Sequence, residues 1–150
     1  AVMPDGFVVE TSPAAAAWWR RALGALERGW LVAFDYGFDE ASVLRPERTQ
    51  GTARAYYRHR RMDDLLARPG EQDLTAHVDF PRLQREGDAA GFHTEAWTVQ
   101  GRWLGGVATE ILKGGGAPSA WLREHGRGLQ TLTHPGHLGH AMRVLVQSRG

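Results

Sequence analysis

Trp30-Leu31-Val32-Ala33-Phe34 followed by Asp35-Tyr36-Gly37 is the stretch whose reading decides the fold. The first five residues are apolar without alternation. Such a run predicts a strand buried on both faces, as in a parallel sheet covered by helices. Asp35-Tyr36-Gly37 then falls at the strand's carboxyl end, where open α/β sheets place their ligands. A strand this apolar does not belong on a sheet edge, so a neighbour for it is expected.

The segments on either side set the class. Before it, Ser12 suits an N-cap and Pro13 the first helical position. Ala15, Trp18, Trp19, Ala22, Leu23 and Leu26 recur at helical spacing, and Gly29 is the expected stop. After it, residues 38–61 are polar, arginine-rich and poorly periodic, which predicts a long loop. Met62 to Ala67 has the makings of a short helix, and Asp73 to Val78 of an extended segment. Asp79 can cap a helix running through Ala90 and closing at Gly91. Phe92 to Val99 is a second strand candidate. Arg102 to Leu112 and Pro118 to Leu132 are helical stretches separated by Gly114-Gly115-Gly116, and His140 to Gln147 is a final strand. Strands separated by helices give an α/β architecture. Only about three good strands are present, against roughly five or six in a typical sheet, so the chain predicts half a sheet. It also opens at Ala1 and moves almost at once into structured sequence, which suggests part of a longer polypeptide.

Composition narrows the function. The 150 residues are 42% hydrophobic and 23% charged, in the range of an ordinary globular domain. A formal net charge of +1 creates no field that would argue for nucleic acid or an anionic membrane. No stretch is long and apolar enough to insert in a bilayer. The chain contains no cysteine, which excludes disulfides, thiolate metal sites and cysteine nucleophiles and suits a reducing compartment such as the bacterial cytoplasm.

Several further blocks carry a resemblance. Gly51-Thr52-Ala53-Arg54-Ala55-Tyr56, then His59, Asp63 and Leu65, then Pro69-Gly70, lead into Asp73-Leu74-Thr75-Ala76-His77-Val78-Asp79-Phe80. Together with Asp35-Tyr36-Gly37, with Val99-Gln100 and Trp103-Leu104, and with His134-Pro135 and Leu138-Gly139, this series resembles the MidA-like methyltransferases. That family includes the mitochondrial enzyme that assists respiratory complex I assembly by methylating an arginine. The resemblance implies a class I, Rossmann-like methyltransferase dependent on S-adenosylmethionine, in which residues 1–150 are the C-terminal portion of one domain. Trp30 to Phe34 would be its fifth strand, Phe92 to Val99 its sixth, and His140 to Gln147 an antiparallel seventh. The family's glycine-rich cofactor loop, acidic ribose-binding position and Asn-Glu segment would lie upstream. The cofactor would then be bound mainly by residues outside this chain.

What carries over is the acceptor side. A guanidinium acceptor needs carboxylates to hold its planar fork and a place for the lost proton. Asp35 is the first candidate; it can equally cap the turn at Gly37. Tyr36 can wall the site or be an ordinary aromatic with its hydroxyl at the rim. Gly37 suits a tight turn. His77 and Asp79, two apart, would share a face if extended and could form a catalytic pair, although Asp79 is also a good N-cap. Gly51, Thr52, Arg54 and His59 form a loop expected to fold over the site, and Asp73 and Thr75 to organise it. Arg54 can pair with Asp35 or Asp79, or be a solvated charge. His134, His137 and His140 invite a metal-dependent hydrolase reading, but they surround glycines and a proline with no adjacent carboxylate, and no metal is expected. A protein substrate follows from the family. The alternative is a non-catalytic assembly fragment that docks on a partner, or on a second copy, through its unpaired sheet edge.

Overall fold

The computed structural model describes residues 3–39, 45, 48–115 and 119–150. Helix α1 (Pro13–Gly24) begins as expected: Ser12 Oγ accepts the Ala15 N–H at 3.2 Å, and Pro13 occupies the first turn. It ends at Ala25, earlier than predicted, and Gly29 instead opens strand β1 (Gly29–Phe38). The chain continues through β2 (Arg54–Tyr57), β3 (Arg60–Met62), β4 (Asp73–Thr75) and β5 (Val78–Asp79). Helix α2 (Phe80–Ala89), β6 (His93–Val99), α3 (Gln100–Lys113), α4 (Ser119–Thr133), a short α5 (Leu138–Ala141) and β7 (Met142–Arg149) complete it. Gly116 and Pro118, at the expected break between the two long helices, lie outside the described residues.

Among the described residues the strands form two sheets. The larger has the order β5-β1-β7-β6; the smaller has the order β3-β2-β4. Strand β7 is antiparallel to both β1 and β6, as the expected antiparallel last strand requires. The result is a mixed α/β sheet rather than a purely parallel one.

Four expectations are corrected here. First, the strand buried on both faces is β7, not β1. Val144, Leu145, Val146 and Gln147 are all buried, whereas Trp30 is 69% exposed and Val32, Phe34 and Tyr36 are also open. Strand β1 alternates over most of its length: Leu31 and Ala33 pack on the core, Trp30, Val32, Phe34 and Tyr36 look outward, and Phe38 at its end breaks the pattern by being buried. Among the described residues its outer edge is paired only at Gly37 and Phe38, by β5. Second, β1 continues through Asp35-Tyr36-Gly37 to Phe38 instead of turning there. Gly37 is required by close approach rather than by a turn. A Cβ at this position would sit 2.3 Å from the Phe80 ring and 2.6 Å from the Val78 carbonyl oxygen.

Third, the segment read as one loop contains the hairpin β2–β3; residues 40–44, 46 and 47 within it lie outside the described residues. The hairpin's two turn residues, Arg58 and His59, both have positive φ, 48° and 63°. Two-residue hairpins normally recruit asparagine and glycine for that geometry, so the sequence carried no signal for it. Fourth, Met62 to Ala67 is the end of β3 followed by turns, not a helix.

The core lies on one face of the larger sheet. Trp19 and Leu23 of α1 meet Phe80 and Leu83 of α2, with Phe92 and Leu145 beneath them. Trp19 Nε1 donates to Gln147 Oε1 at 2.8 Å. The Gln147 amide nitrogen in turn donates to the Gln84 carbonyl and the Thr94 hydroxyl. A fully buried glutamine is tolerable because both ends of its amide are paired. Arg20 and Glu86 join α1 to α2 at the surface, 3.3 Å apart.

Candidate active site

The junction of the two sheets is built around a carboxylate that sequence reasoning missed. Glu10 Oε1 accepts the backbone N–H groups of Thr52 and Ala53 at 2.7 and 2.8 Å, and Oε2 accepts the Thr52 hydroxyl at 3.3 Å. Burial pushes the Glu10 carboxyl up, but the N–H groups of Ala53 and Thr52 and the Thr52 hydroxyl outweigh it and hold the group below its usual value. Gly51 has φ +60°, and a Cβ there would lie 2.1 Å from Glu10 Oε1. The Gly-Thr-Ala run is therefore a seat for a carboxylate. A glutamate beyond the reach of the quoted blocks gave no local sequence signal of that role.

Arg54 completes the seat. Its guanidinium donates to the Ala53 carbonyl at 2.6 Å and to the Gly51 carbonyl at 3.2 Å, so it braces the loop rather than pairing with Asp35 or Asp79. The Thr52 hydroxyl also accepts the backbone N–H of His77 at 3.1 Å, which ties the loop to the strand segment carrying His77.

These ties create a cavity of about 640 Å³ lined by Asp35, Tyr36, Thr52, Arg54, Tyr56, Thr75, Ala76 and His77. Five predicted site residues besides Asp35 and Tyr36 thus bear on it or on its wall: Thr52, Arg54, Thr75 and His77 directly, and Gly51 through the Glu10 seat. Asp35 Oδ1 accepts the N–H of Tyr36 at 2.7 Å. The Tyr36 and His77 rings stack with centroids 6.4 Å apart, and Phe38 contacts the same imidazole at 5.1 Å. The His77 imidazole titrates below its ordinary value. Burial is the largest cause, followed by the positive charges of Arg48 and Arg54; these outweigh the opposite pull of Glu10 and Asp35.

Four predicted residues sit elsewhere, Gly37 against Phe80 among them. Asp79 is the N-cap of α2, with Oδ1 accepting the Arg82 N–H at 3.0 Å. It does not line the cavity with His77, because the segment divides there: β4 pairs with β2, and β5 with β1. His59 occupies the hairpin turn, where it shapes the backbone and does not line the cavity. Asp73 pairs with Tyr56 along β2 and contributes through the strand, not the cavity wall. His134 and His137 rings lie 5.1 Å apart, and His134 Nδ1 accepts the Gly136 N–H. Among the described residues no group of three or more histidine, aspartate or glutamate side chains is arranged to hold a metal. No helix among them is long and apolar enough to cross a membrane.

Comparison with known proteins sets the chain in a family. A family model described as "Putative S-adenosyl-L-methionine-dependent methyltransferase" matches residues 2–98. The chain belongs to that family. Two solved structures from Burkholderia thailandensis share its fold. One is an uncharacterized protein, 30% identical with a TM-score of 0.80, matching 98% of this chain and 40% of its own. The other, bound to S-adenosyl-homocysteine, is 31% identical with a TM-score of 0.80 over 98% of this chain and 38% of its own. The chain therefore spans about two fifths of the length of these relatives. No curated protein matches it.

Proposed function

We propose that this chain is the acceptor-side, C-terminal portion of a class I, Rossmann-like methyltransferase domain of the MidA-like type, which transfers a methyl group from S-adenosylmethionine to an arginine of a protein substrate. The observation that carries the reading is the convergence of Asp35, Tyr36 and His77 on one cavity at the carboxyl end of β1. The bacterial cytoplasm is the setting that fits a cysteine-free chain, and assembly of a respiratory complex is the process the family resemblance suggests.

Strand β6 runs directly into α3, and a Cβ on Gly101 would meet the Thr133 carbonyl at 2.4 Å, so that glycine serves helix packing. S-adenosylmethionine supplies an electrophilic methyl group, held mainly by residues outside this chain. The residues present do the acceptor's share of the work. Asp35 orients the guanidinium through its N–H groups. Tyr36 and Tyr56 wall the cavity. His77, held neutral near pH 7 by burial and the two arginines, offers a ring nitrogen for the proton the acceptor loses.

The test is Asp35→Asn in the protein that includes the cofactor-binding part. Methyl transfer in a single turnover should fall about a hundredfold, with the affinity for S-adenosyl-homocysteine within twofold of the unaltered protein (about 0.4 kcal/mol). Equal transfer rates would remove Asp35 from the reaction.

A second reading is favoured by the open edge of β1. An apolar groove of about 390 Å³ runs beside it, lined by residues that include Ala15, Trp18, Leu31 and Phe34. In the first reading a strand of the cofactor-binding part pairs there. In the second, this chain is an assembly fragment whose edge takes a partner chain or a second copy.

A further inference from the structure

The cavity holding Asp35 adjoins another of about 450 Å³, lined by Arg48, Thr49, Gln50, Gly51, Thr52, Arg54, Tyr56 and His77. Thr52, Arg54, Tyr56 and His77 belong to both walls, so the two form one cleft. Its ends differ in charge. Asp35 lines only the first part and Arg48 only the second.

Arg48 is the unexplained group. Its Nη1 is buried and, among the described residues, has no acceptor. Its guanidinium carbon lies 5.2 Å from the centroid of the Phe38 ring, which holds the fork in place. A buried, unpaired donor on a charged group costs on the order of 1–3 kcal/mol or more, and a ligand carboxylate in the adjoining space would remove that cost. Glu10 does not supply it, since its oxygens are engaged by Thr52 and Ala53. Arg48 and Arg54 both act on His77, which lines both parts of the cleft.

We propose that the cleft recognises an acceptor of two charges: the guanidinium to be methylated lies at Asp35, and a carboxylate of an adjacent acidic residue in the same polypeptide lies at Arg48 and Arg54. Only a planar, forked donor fixed in this way can take a carboxylate with two parallel hydrogen bonds. The proposal rests on reading the cleft as the acceptor side, but its test measures binding without methyl transfer. A cleft that discriminates yet transfers no methyl group would refute the proposed reaction and leave this inference standing.

The probes are acetyl-Arg-Glu-amide, its counterpart without the carboxylate, acetyl-Arg-Gln-amide, and S-adenosyl-homocysteine, titrated into the protein that includes the cofactor-binding part while the His77 ring resonances are followed. The glutamate peptide should bind about tenfold more tightly than the glutamine peptide, a difference of about 1.4 kcal/mol. Arg48→Gln should abolish that preference, and Arg48→Lys should keep part of it. Equal binding of the two peptides by the unaltered protein overturns the proposal, whatever the variants do. So does a preference that survives in Arg48→Gln. If S-adenosyl-homocysteine is the probe that loses affinity in Arg48→Gln while the peptides are unaffected, the carboxylate at Arg48 is the cofactor's, and the acceptor assignment fails.

Discussion

The two sheets of this molecule are held by different physics. The face of the larger sheet under α1 and α2 is closed by packing: Trp19, Leu23, Phe80 and Leu145 are essentially inaccessible. The amide of Gln147 buried beneath it is paired at both ends. The smaller sheet has little to bury. Of β3 and β4 almost every residue is exposed, and its loop is fixed to the rest by the carboxylate of Glu10 and the guanidinium of Arg54. Burial gives a rigid platform that is indifferent to pH. A charged tie gives a cleft whose shape depends on protonation, and that dependence separates the two regions experimentally.

The packed face should show the largest single effect. Trp19→Ala removes a ring that is 1% exposed and should cost about 3–5 kcal/mol of unfolding free energy, read from urea denaturation. Trp19→Phe keeps most of the volume and orphans Gln147 Oε1, so it should cost about 1–3 kcal/mol. Neither loss should vary between pH 4 and 8 beyond the variation already present in the unaltered chain, because no group in that core titrates. A loss that grows with acid would mean the two regions are not energetically separate.

The tie at the cleft should respond in the opposite way. Glu10→Gln leaves two backbone donors and a hydroxyl with a weaker, uncharged acceptor, and should cost about 1–3 kcal/mol near neutral pH. Glu10 titrates below 4.5 in the folded chain. Its contribution is therefore complete above pH 4.5 and is lost as pH falls below that value toward the folded pKa. The variant should lack this step. His77 adds a second. Its folded pKa lies below 6.5, so the unfolded chain binds the proton first, and stability falls as pH drops from 6.5 toward the folded value. Denaturation midpoints across pH 3–8 would show both steps in the unaltered chain and only the His77 step in Glu10→Gln. Parallel curves would remove Glu10 from its place as the tie.

What was legible in the sequence follows the same division. Periodic apolar residues announced α1, the Asp79 cap and the Gly91 stop announced α2, and apolar segments announced β6 and β7; the caps Ser12 and Asp79 were found because N-cap chemistry is local. The apolar run at Trp30 correctly signalled a strand. It misled about burial, because apolar composition cannot tell a face covered within the chain from one left open. In the cleft, Asp35, Tyr36, Thr52, Arg54, Thr75 and His77 were named from motif blocks and do come together. Glu10 and Arg48 were not: Glu10 acts through a contact distant in sequence, Arg48 stands out only by its buried, unpaired Nη1, and neither lies in a periodic pattern. Asp79 was offered two roles, and the geometry gives it the cap.

The smallest expected effect bears on the hairpin tip, where His59 lies away from the cavity wall. Arg58 and His59 form the turn of β2–β3 with φ values of 48° and 63°, a conformation that costs an ordinary L-residue about 1–2 kcal/mol relative to glycine. Arg58→Asn with His59→Gly supplies the side chains such a turn favours. The exchange gives up the contact of the Arg58 guanidinium with the Tyr57 ring, 5.3 Å away, worth about 0.5–1 kcal/mol at an exposed site. The double variant should therefore be more stable by about 0.5–1 kcal/mol, seen as a higher urea midpoint with an unchanged slope. His77 shifts on peptide titration should match those of the unaltered chain, since a residue that only bends the hairpin cannot read a ligand. Lost or weakened binding would return His59 to the cleft and show that the hairpin tip closes over it.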